Sequence, residues 1–300
     1  MSRQIETSFV DMYRANVDQL VRQKGSRLRD TVVVEKIVGN QAYFEQIGSV
    51  VGRKKSGRHS DVEYSDTPHQ RRRVATTTYY ATDLIDREDK LRMLFDPASE
   101  YAEAQADALG KDMDECIIEA ATATAYTGVD GTTATPFDSN MIVDVTVRDP
   151  GVTSGNYGLN VAKLLRAHRL LNANHVPTQD RYIVVNSRQM ESLLSSQKAT
   201  SADYASVKAL VHGEIDTYCG FKFRQSEYIQ QDASNNDKVL FYHKRGLRLG
   251  MNGDLYARIS ELPQKHYAVQ VYSSIDIGCT RMQEGMVGYI ACHPSNGPGA

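Results

Sequence analysis

Seven basic side chains, gathered in two short runs, are the residues of this sequence best suited to bind a charged partner. They are Arg53, Lys54, Lys55, Arg58, Arg71, Arg72 and Arg73. Side chains of this kind contact phosphate groups or pair with an acidic surface on a neighbouring protein. Tyr64, Tyr79 and Tyr80 flank the cluster, and aromatic rings can stack on nucleic-acid bases. Phosphate contact and protein docking are therefore both open at this point.

The overall charge favours protein docking. The chain carries 35 Lys and Arg against 37 Asp and Glu, a formal net charge of −2. Nucleic-acid-binding modules usually show a basic excess. We therefore interpret the cluster as a contact between protein subunits and keep nucleic-acid binding as the alternative.

The sequence contains none of the common catalytic motifs. GxGxxG, GxxxxGK[ST], HExxH and GxSxG are all missing, and with them the usual signs of nucleotide, zinc or serine chemistry. The eight histidines are scattered, and His168 is expected to be packed or half exposed. We predict a protein that is not an enzyme and that uses no metal and no cofactor.

Acidic and thiol side chains fit the same interpretation. Asp112, Asp114 and Glu115 are close in sequence, but on a helix the first two would point about 200° apart and could not share an ion. We interpret them as a solvated charged face. The cysteines are widely spaced, without a CxxC pair, which predicts reduced structural thiols.

A hairpin must carry the basic cluster. Residues 62–64 and 74–82 have strand composition, and the sequence between them is polar and turn-rich. Leu, Ile, Met and Phe are absent from Gly52 to Tyr80, so the segment can bury little apolar area. Because an isolated two-stranded hairpin is marginal in water, we expect a neighbouring subunit to hold it.

A long helix is predicted after the hairpin, over about residues 97–127. Asp96 and Pro97 suit its start and Gly128 its end. Its apolar stripe consists of Ala102, Ala106, Leu109, Met113, Ile117, Ala120 and Thr124. The spacing of three and four residues is typical of one helix face. Such a helix would be roughly 45 Å long.

The rest of the chain predicts a compact α/β lobe followed by strands. Residues 157–174 have an amphipathic helical pattern, 181–186 a buried strand and the residues from Ser187 a capped helix. The strongest alternating strand is 267–277. No apolar run approaches the roughly 20 residues that span a bilayer, and the start of the chain lacks the apolar core of a signal peptide.

This order of parts resembles the major capsid proteins of tailed bacteriophages, which have the HK97-like fold. The run from Thr82 to Gly128, TDLIDREDKLRMLFDPASEYAEAQADALGKDMDECIIEAATATAYTG, is similar to that family in its residues as well as its position. The resemblance implies an α+β chain with the following parts: an N-terminal arm (1–46), an E-loop β-hairpin (47–82), a peripheral domain with the long spine helix (83–135), an axial α/β domain (136–262), and a return to the peripheral sheet with a C-terminal tail (263–300).

The resemblance also implies a function and partners. Copies would assemble as hexamers and pentamers into the icosahedral head shell around double-stranded DNA, with the basic cluster of the E-loop as an inter-subunit contact. The hairpin begins within the first fifty residues, which leaves no room for a fused scaffolding domain, so a separate scaffolding protein is expected. A portal protein and decoration proteins are further expected partners. DNA contact would be non-specific, and no membrane is involved. The shell would assemble in the host bacterial cytoplasm and become part of the virion.

Three alternatives remain beside this one, and the weakest is a soluble α/β enzyme, because the sequence shows no catalytic site. An encapsulin-like shell has the same fold and differs in its cargo, and a nucleic-acid-binding protein would use the basic hairpin directly. The capsid interpretation makes a specific prediction. Reversing the charges of Arg71, Arg72 and Arg73 together should leave the chain folded but block assembly.

Overall fold

Three α-helices and fifteen strands make up the part of the chain that the structure describes. A computed structural model describes residues 25–48, 50, 52–54, 57–58, 64, 67–85, 98–150, 155–195 and 217–294. The α-helices are α1 (Ala98–Thr122), α2 (Val161–Ala173) and α3 (Ser187–Ser195). None of the described helices is long and apolar enough to cross a membrane.

The described residues form two compact units. The first unit contains those of Thr78–Met113 and Gly253–Asp276 together with Gly25 and Ser26. The second unit contains the described residues of three segments: Arg27–Thr77, Asp114–Asn252 and Ile277–Ala300. The basic cluster belongs to the second unit.

A six-stranded mixed sheet forms the core of the second unit. Its strands, in spatial order, are β7 (Ile142–Val143), β15 (Val287–Cys292), β11 (Asp237–His243), β8 (Arg181–Val185), β10 (Phe221–Gln225) and β9 (Thr217–Tyr218). Every side chain of β8 is buried. Ile183 and Val185 pack in one cluster with Leu164 and Leu171 of α2 and Leu193 of α3. The predicted buried strand is therefore confirmed.

Asparagine side chains begin both helices of this lobe. The side chain of Asn160 accepts a hydrogen bond from the Lys163 backbone N–H (2.9 Å) at the start of α2. Asn186 accepts from the Gln189 N–H (2.9 Å) at the start of α3. This is the usual arrangement of a helix N-cap. The helix predicted from Ser187 is confirmed, with its cap one residue earlier.

A second sheet of four strands contains the base of the hairpin. Its order is β2 (Gln41–Ile47), β3 (His69–Ala75), β5 (Ala125–Thr127) and β6 (Thr133–Thr135). Strands β2 and β3 are antiparallel, with Gln41 opposite Ala75 and Ile47 opposite His69. The paired strands thus begin at residue 41, inside the predicted arm.

The second strand of the predicted hairpin is also split between two observed strands. The predicted strand 74–82 is interrupted at Thr76, because β3 ends at Ala75 and β4 (Thr77–Ile85) pairs with another strand, β14 (Ala268–Arg281). Of the predicted strand 62–64, only Tyr64 lies among the described residues.

The longest strand is β14 (Ala268–Arg281). Its last residues pair with β12 (Leu247–Met251), which pairs in turn with β1 (Val33–Lys36). Its first residues pair with β13 (Tyr256–Leu262) in the first unit. The prediction of a long strand at 267–277 is confirmed, and the strand extends further.

Helix α1 is shorter than predicted. Leu109, Met113 and Ile117 of the predicted stripe are buried, but Thr124 lies beyond the end of the helix. Residues 125–127 leave the helix because they form β5, where Tyr126 lies opposite Arg73 of β3. Gly128 has the expected positive φ of 98°, but it forms the turn between β5 and β6.

Asp114 corrects the interpretation of the acidic triplet. It is fully buried, whereas its neighbour Glu115 is exposed. Its two carboxylate oxygens accept hydrogen bonds from the backbone N–H groups of Arg27 (3.1 Å) and Leu28 (3.0 Å). Asp114 thus fixes the chain segment before β1 onto α1, and only part of the triplet is a solvated face.

The predicted division at residue 263 does not follow the strand pairing. Strand β13 belongs to the first unit and pairs with β14, although the family resemblance implied that it lies in the axial domain. Strand β15, expected in the peripheral sheet, pairs with β11 in the six-stranded sheet. Strands β13 and β14, on the two sides of residue 263, are thus paired with each other, and β15 belongs to a separate sheet.

Candidate inter-subunit interface

The three consecutive arginines of the basic cluster lie on β3. Side chains alternate between the two faces of a strand, so Arg71 and Arg73 point to one face and Arg72 to the other. We call the face of Arg71 and Arg73 the outer face of the hairpin sheet. Tyr43, Glu45 and Ile47 lie opposite Arg73, Arg71 and His69 on this face.

Arg71 is a surface residue on the outer face. Its Nη2 atom lies 3.1 Å from Oε1 of Glu45, and the two side chains are 48% and 70% exposed. Exposed ion pairs contribute only about 0–1 kcal/mol to stability because water screens them. Both groups therefore remain available for a partner at little cost to the fold.

Arg73 is half-buried beside two tyrosines. Its guanidinium lies 4.9 Å from the centre of the Tyr126 ring, a favourable cation–π distance. Tyr43 donates a hydrogen bond to the Asp130 carbonyl (3.3 Å). A Cβ atom on Gly131 would lie 2.8 Å from Arg73 and 2.9 Å from Tyr43, so the turn after β5 packs closely on this face.

Arg72 has a different position from the one predicted. It is 5% exposed, and its Nη2 atom lies 2.6 Å from Oε1 of Glu284 in the same chain. Its Nε atom donates to the Met282 carbonyl (3.1 Å). Arg72, predicted as an inter-subunit contact, is thus bonded within its own chain, because the alternation of β3 turns it inward.

The remaining members of the cluster come between β2 and β3 in the sequence. Arg53, Lys54 and Arg58 are exposed, and Lys55 lies outside the described residues. The structure thus brings Arg71 and Arg73 together on one face, and the other four described cations differ in burial or position.

A groove of about 570 Å³ lies beside the outer face. It is lined by Glu45, His69, Gln70, Arg71, Thr127, Gly128 and Val129. Ile47 and Val129 are 68% and 78% exposed. A protein–protein contact surface combines an apolar centre with a polar rim, and this face offers both kinds of side chain.

Sequence reasoning missed two residues that hold the base of the hairpin. Arg281 is fully buried, and Glu284 receives hydrogen bonds from both Arg72 and Arg281. A charged residue at the end of a long apolar strand was the available signal. Arg72 of β3, the partner of Glu284, is distant in sequence, so the pairing itself could not be deduced.

Neither the buried thiols nor the acidic side chains of the described residues indicate thiol or metal chemistry. Burial raises the pKa of Cys116 to about 11 and that of Cys292 to about 12, so both thiols stay protonated and weakly nucleophilic near neutral pH. Within the described ranges, no group of acidic, histidine or cysteine side chains could hold a metal ion.

Comparison with known proteins gives a consistent result. A family model described as phage capsid protein matches residues 5–293. A sequence comparison with curated proteins finds no match. The chain is similar to the capsid of Ralstonia phage GP4, with 11% identity, a TM-score of 0.74, and coverage of 95% of this chain and 96% of that chain.

Two cyanophage capsids show the same likeness. The capsid structure of cyanophage P-SCSP1u has 16% identity and a TM-score of 0.67, with coverage of 95% of this chain and 94% of that chain. The capsid asymmetric unit of cyanophage Pam1 has 13% identity and a TM-score of 0.68, with coverage of 96% of each chain. At these identities the likeness establishes the fold, and it confirms the predicted α+β HK97-like architecture.

Proposed function

The chain belongs to the phage capsid protein family, and we propose that its copies assemble through the outer face of the hairpin sheet into an icosahedral head shell around double-stranded DNA. The observation that carries the role of this face is the separation of the three arginines. Arg71 and Arg73 are on the outer face, whereas Arg72 is bonded within its own chain.

The hairpin is suited to reach a neighbouring copy. The seven-residue strands β2 and β3 extend for about 23 Å. In the sequence, residues 48–68 connect the two strands, and Arg53, Lys54, Lys55 and Arg58 belong to this segment. We expect this connecting segment to engage a second copy while β2 and β3 stay attached to their own second unit.

Polar contacts suit a subunit that must occupy both hexamers and pentamers. Ion pairs such as Arg71–Glu45 are exposed in one copy and individually weak. When many copies bind together, each weak contact becomes effectively intramolecular and avidity rises. Exposed Ile47 and Val129 would add about 25 cal/mol for each Å² of apolar surface removed from water.

A head-shell protein would act with further proteins of the phage. A separate scaffolding protein, a portal protein and decoration proteins would act with the shell, which would assemble in the bacterial cytoplasm before becoming the virion. DNA would be enclosed with non-specific contacts only, in keeping with the net charge of −2. The chain would act as a structural protein rather than as an enzyme.

Electron microscopy of the full chain tests this proposal. The chain would be expressed alone and with its neighbouring genes, and negative-stain images would be compared. We expect closed shells, tubes or capsomer rings. A monomer or dimer in both preparations would contradict the proposal, and particles that contain an enzyme in place of DNA would favour an encapsulin-like compartment.

A further inference from the structure

The base of the hairpin is held mainly by polar contacts. Beneath the sheet, the described apolar contacts form a small cluster in which Ile37, Phe44, Val74 and Met282 are buried. Such a cluster excludes water but is not strongly directional, because the hydrophobic effect depends on area rather than on geometry. The hydrogen bonds and ion pairs of β2 and β3 are directional, and they fix how the two strands are oriented within the second unit.

Both strands of the hairpin bond to the same carbonyl group. Gln46 of β2 donates from Nε2 to the Met282 carbonyl (2.6 Å). Arg72 of β3 donates from Nε to the same oxygen (3.1 Å). Met282 directly follows β14, so one backbone position fixes the two strands together.

Glu284 extends this contact to a second buried arginine. Its Oε1 atom accepts from Arg72 (2.6 Å), and its Oε2 atom accepts from Nε of Arg281. We call these three residues the Arg72–Glu284–Arg281 triad. One carboxylate thus bridges two guanidinium groups, and each of its oxygens has a charged donor.

Arg281 in turn closes the end of helix α1. Its Nη1 atom donates to the carbonyls of Ala121 (3.0 Å) and Ala123 (2.8 Å). The last carbonyls of a helix lack partners within the helix, and a cation there also favours the helix dipole. The triad therefore forms a continuous path of charged hydrogen bonds from β3 to the C-terminal end of α1.

Backbone packing supports the same arrangement. A Cβ atom on Gly278 of β14 would lie only 2.1 Å from the Ala75 carbonyl oxygen at the end of β3. Only glycine permits this approach without displacing the backbone. The base of the hairpin is thus in direct contact with β14 next to the triad.

We propose that the Arg72–Glu284–Arg281 triad is a positioning device that couples the direction of the hairpin to the end of helix α1. A bridging carboxylate between two buried arginines has a narrow range of favourable geometries, because a displaced guanidinium would lose its charge partner without gaining water. The hairpin base and the helix end therefore move as one body. The consequence for shell assembly rests on the proposed function, but the coupling itself does not.

Hydrogen exchange of the full chain tests the coupling directly. The variant Glu284→Gln keeps the shape of the side chain and removes its charge. We expect the amides of β2 and β3 to exchange about tenfold faster or more, while those of β8 and β11 stay unchanged. Glu284→Asp retains the charge on a shorter side chain and should restore much of the protection. Arg71→Gln, next to Arg72 on the exposed face, is the matched control and should have no effect.

Two results would overturn the coupling. One is unchanged exchange in β2 and β3, and the other is an equal increase across the whole second unit, which would indicate general destabilisation. If Glu284→Gln does not fold, Arg72→Lys gives the same test, because lysine keeps the charge but cannot bond Glu284 and the Met282 carbonyl in the same way. Electron microscopy of the same variants separates the two proposals. Normal shells from a chain with a released hairpin would contradict the role of the hairpin in assembly and leave the coupling intact.

Discussion

The two faces of β3 have opposite roles although they carry the same type of residue. Arg71 on the outer face has an exposed partner, Glu45, whereas Arg72 on the inner face is buried against Glu284. Breaking an exposed ion pair changes the free energy of unfolding little, whereas removing one partner of a buried pair lowers it strongly. A run of consecutive basic residues can therefore contain both surface residues that are free to contact a partner and buried residues that stabilise the fold. On a strand, the alternation of side chains determines which residues are exposed and which are buried.

The largest effect is expected at the inner face. Arg72→Glu would place a second carboxylate beside Glu284 and leave both without a cation from β3. We expect a loss of about 3–5 kcal/mol in the free energy of unfolding, measured by urea denaturation. Arg71→Glu is the matched control and should cost less than about 1 kcal/mol. Equal losses in the two variants would contradict the division between the faces.

A similar contrast is expected between neighbours on α1. Asp114→Asn keeps the shape but weakens the two bonds from the backbone N–H groups of Arg27 and Leu28. We expect a loss of about 1–3 kcal/mol in unfolding free energy. Exposed Glu115→Gln should change it by less than about 0.5 kcal/mol. Thermal unfolding of the two variants side by side checks the prediction, and a larger effect at Glu115 would refute it.

Packing at the base of the hairpin gives the next prediction. Gly278→Ala would force a methyl group against the Ala75 carbonyl, and we expect a loss of about 1–3 kcal/mol from overpacking. Gly52→Ala is the control, because nothing lies within 4 Å of a Cβ atom there. Denaturation midpoints of the two variants measure this. Equal midpoints would contradict the prediction and show that β3 can move away from β14 without loss of stability.

The smallest effect on stability is expected at the exposed ion pair. Arg71→Gln removes the charge that pairs with Glu45, and we expect at most about 1 kcal/mol. The small contribution should fall further at high salt, because screening weakens exposed pairs. Unfolding curves at low and high salt measure this. A loss that is large and independent of salt would mean that the pair is part of the internal support.

The sequence predicted elements well where the pattern was local. Strand β8 contains the apolar run Ile183–Val185 and α3 follows a capping residue, so both were recognisable from neighbouring residues. Family resemblance supplied the architecture, which no single motif could have given. The absence of large apolar residues from Gly52 to Tyr80 also indicated a hairpin with little core of its own.

Long-range pairing accounts for the errors. The end of α1 depends on β5 pairing with β3, and the burial of Arg72 depends on Glu284, which lies far away in the chain. Reversing all three arginines would also break the buried pair between Arg72 and Glu284, because strand alternation turns Arg72 inward. Apolar Val74 lies two residues from Arg72 and is buried with it. Because residues two apart on a strand share a face, Val74 could have indicated that Arg72 points inward while Arg71 and Arg73 point outward.

The most direct test of the account is electron microscopy of a double variant on the outer face. Arg71→Glu with Arg73→Glu reverses the two arginines of that face and leaves Arg72 in place, and Arg71→Lys with Arg73→Lys is the matched control that keeps the charge. We expect the lysine variant to form shells, and the glutamate variant to remain folded by circular dichroism but unassembled. Normal shells from the folded glutamate variant would contradict the claim that this face joins one capsid subunit to the next.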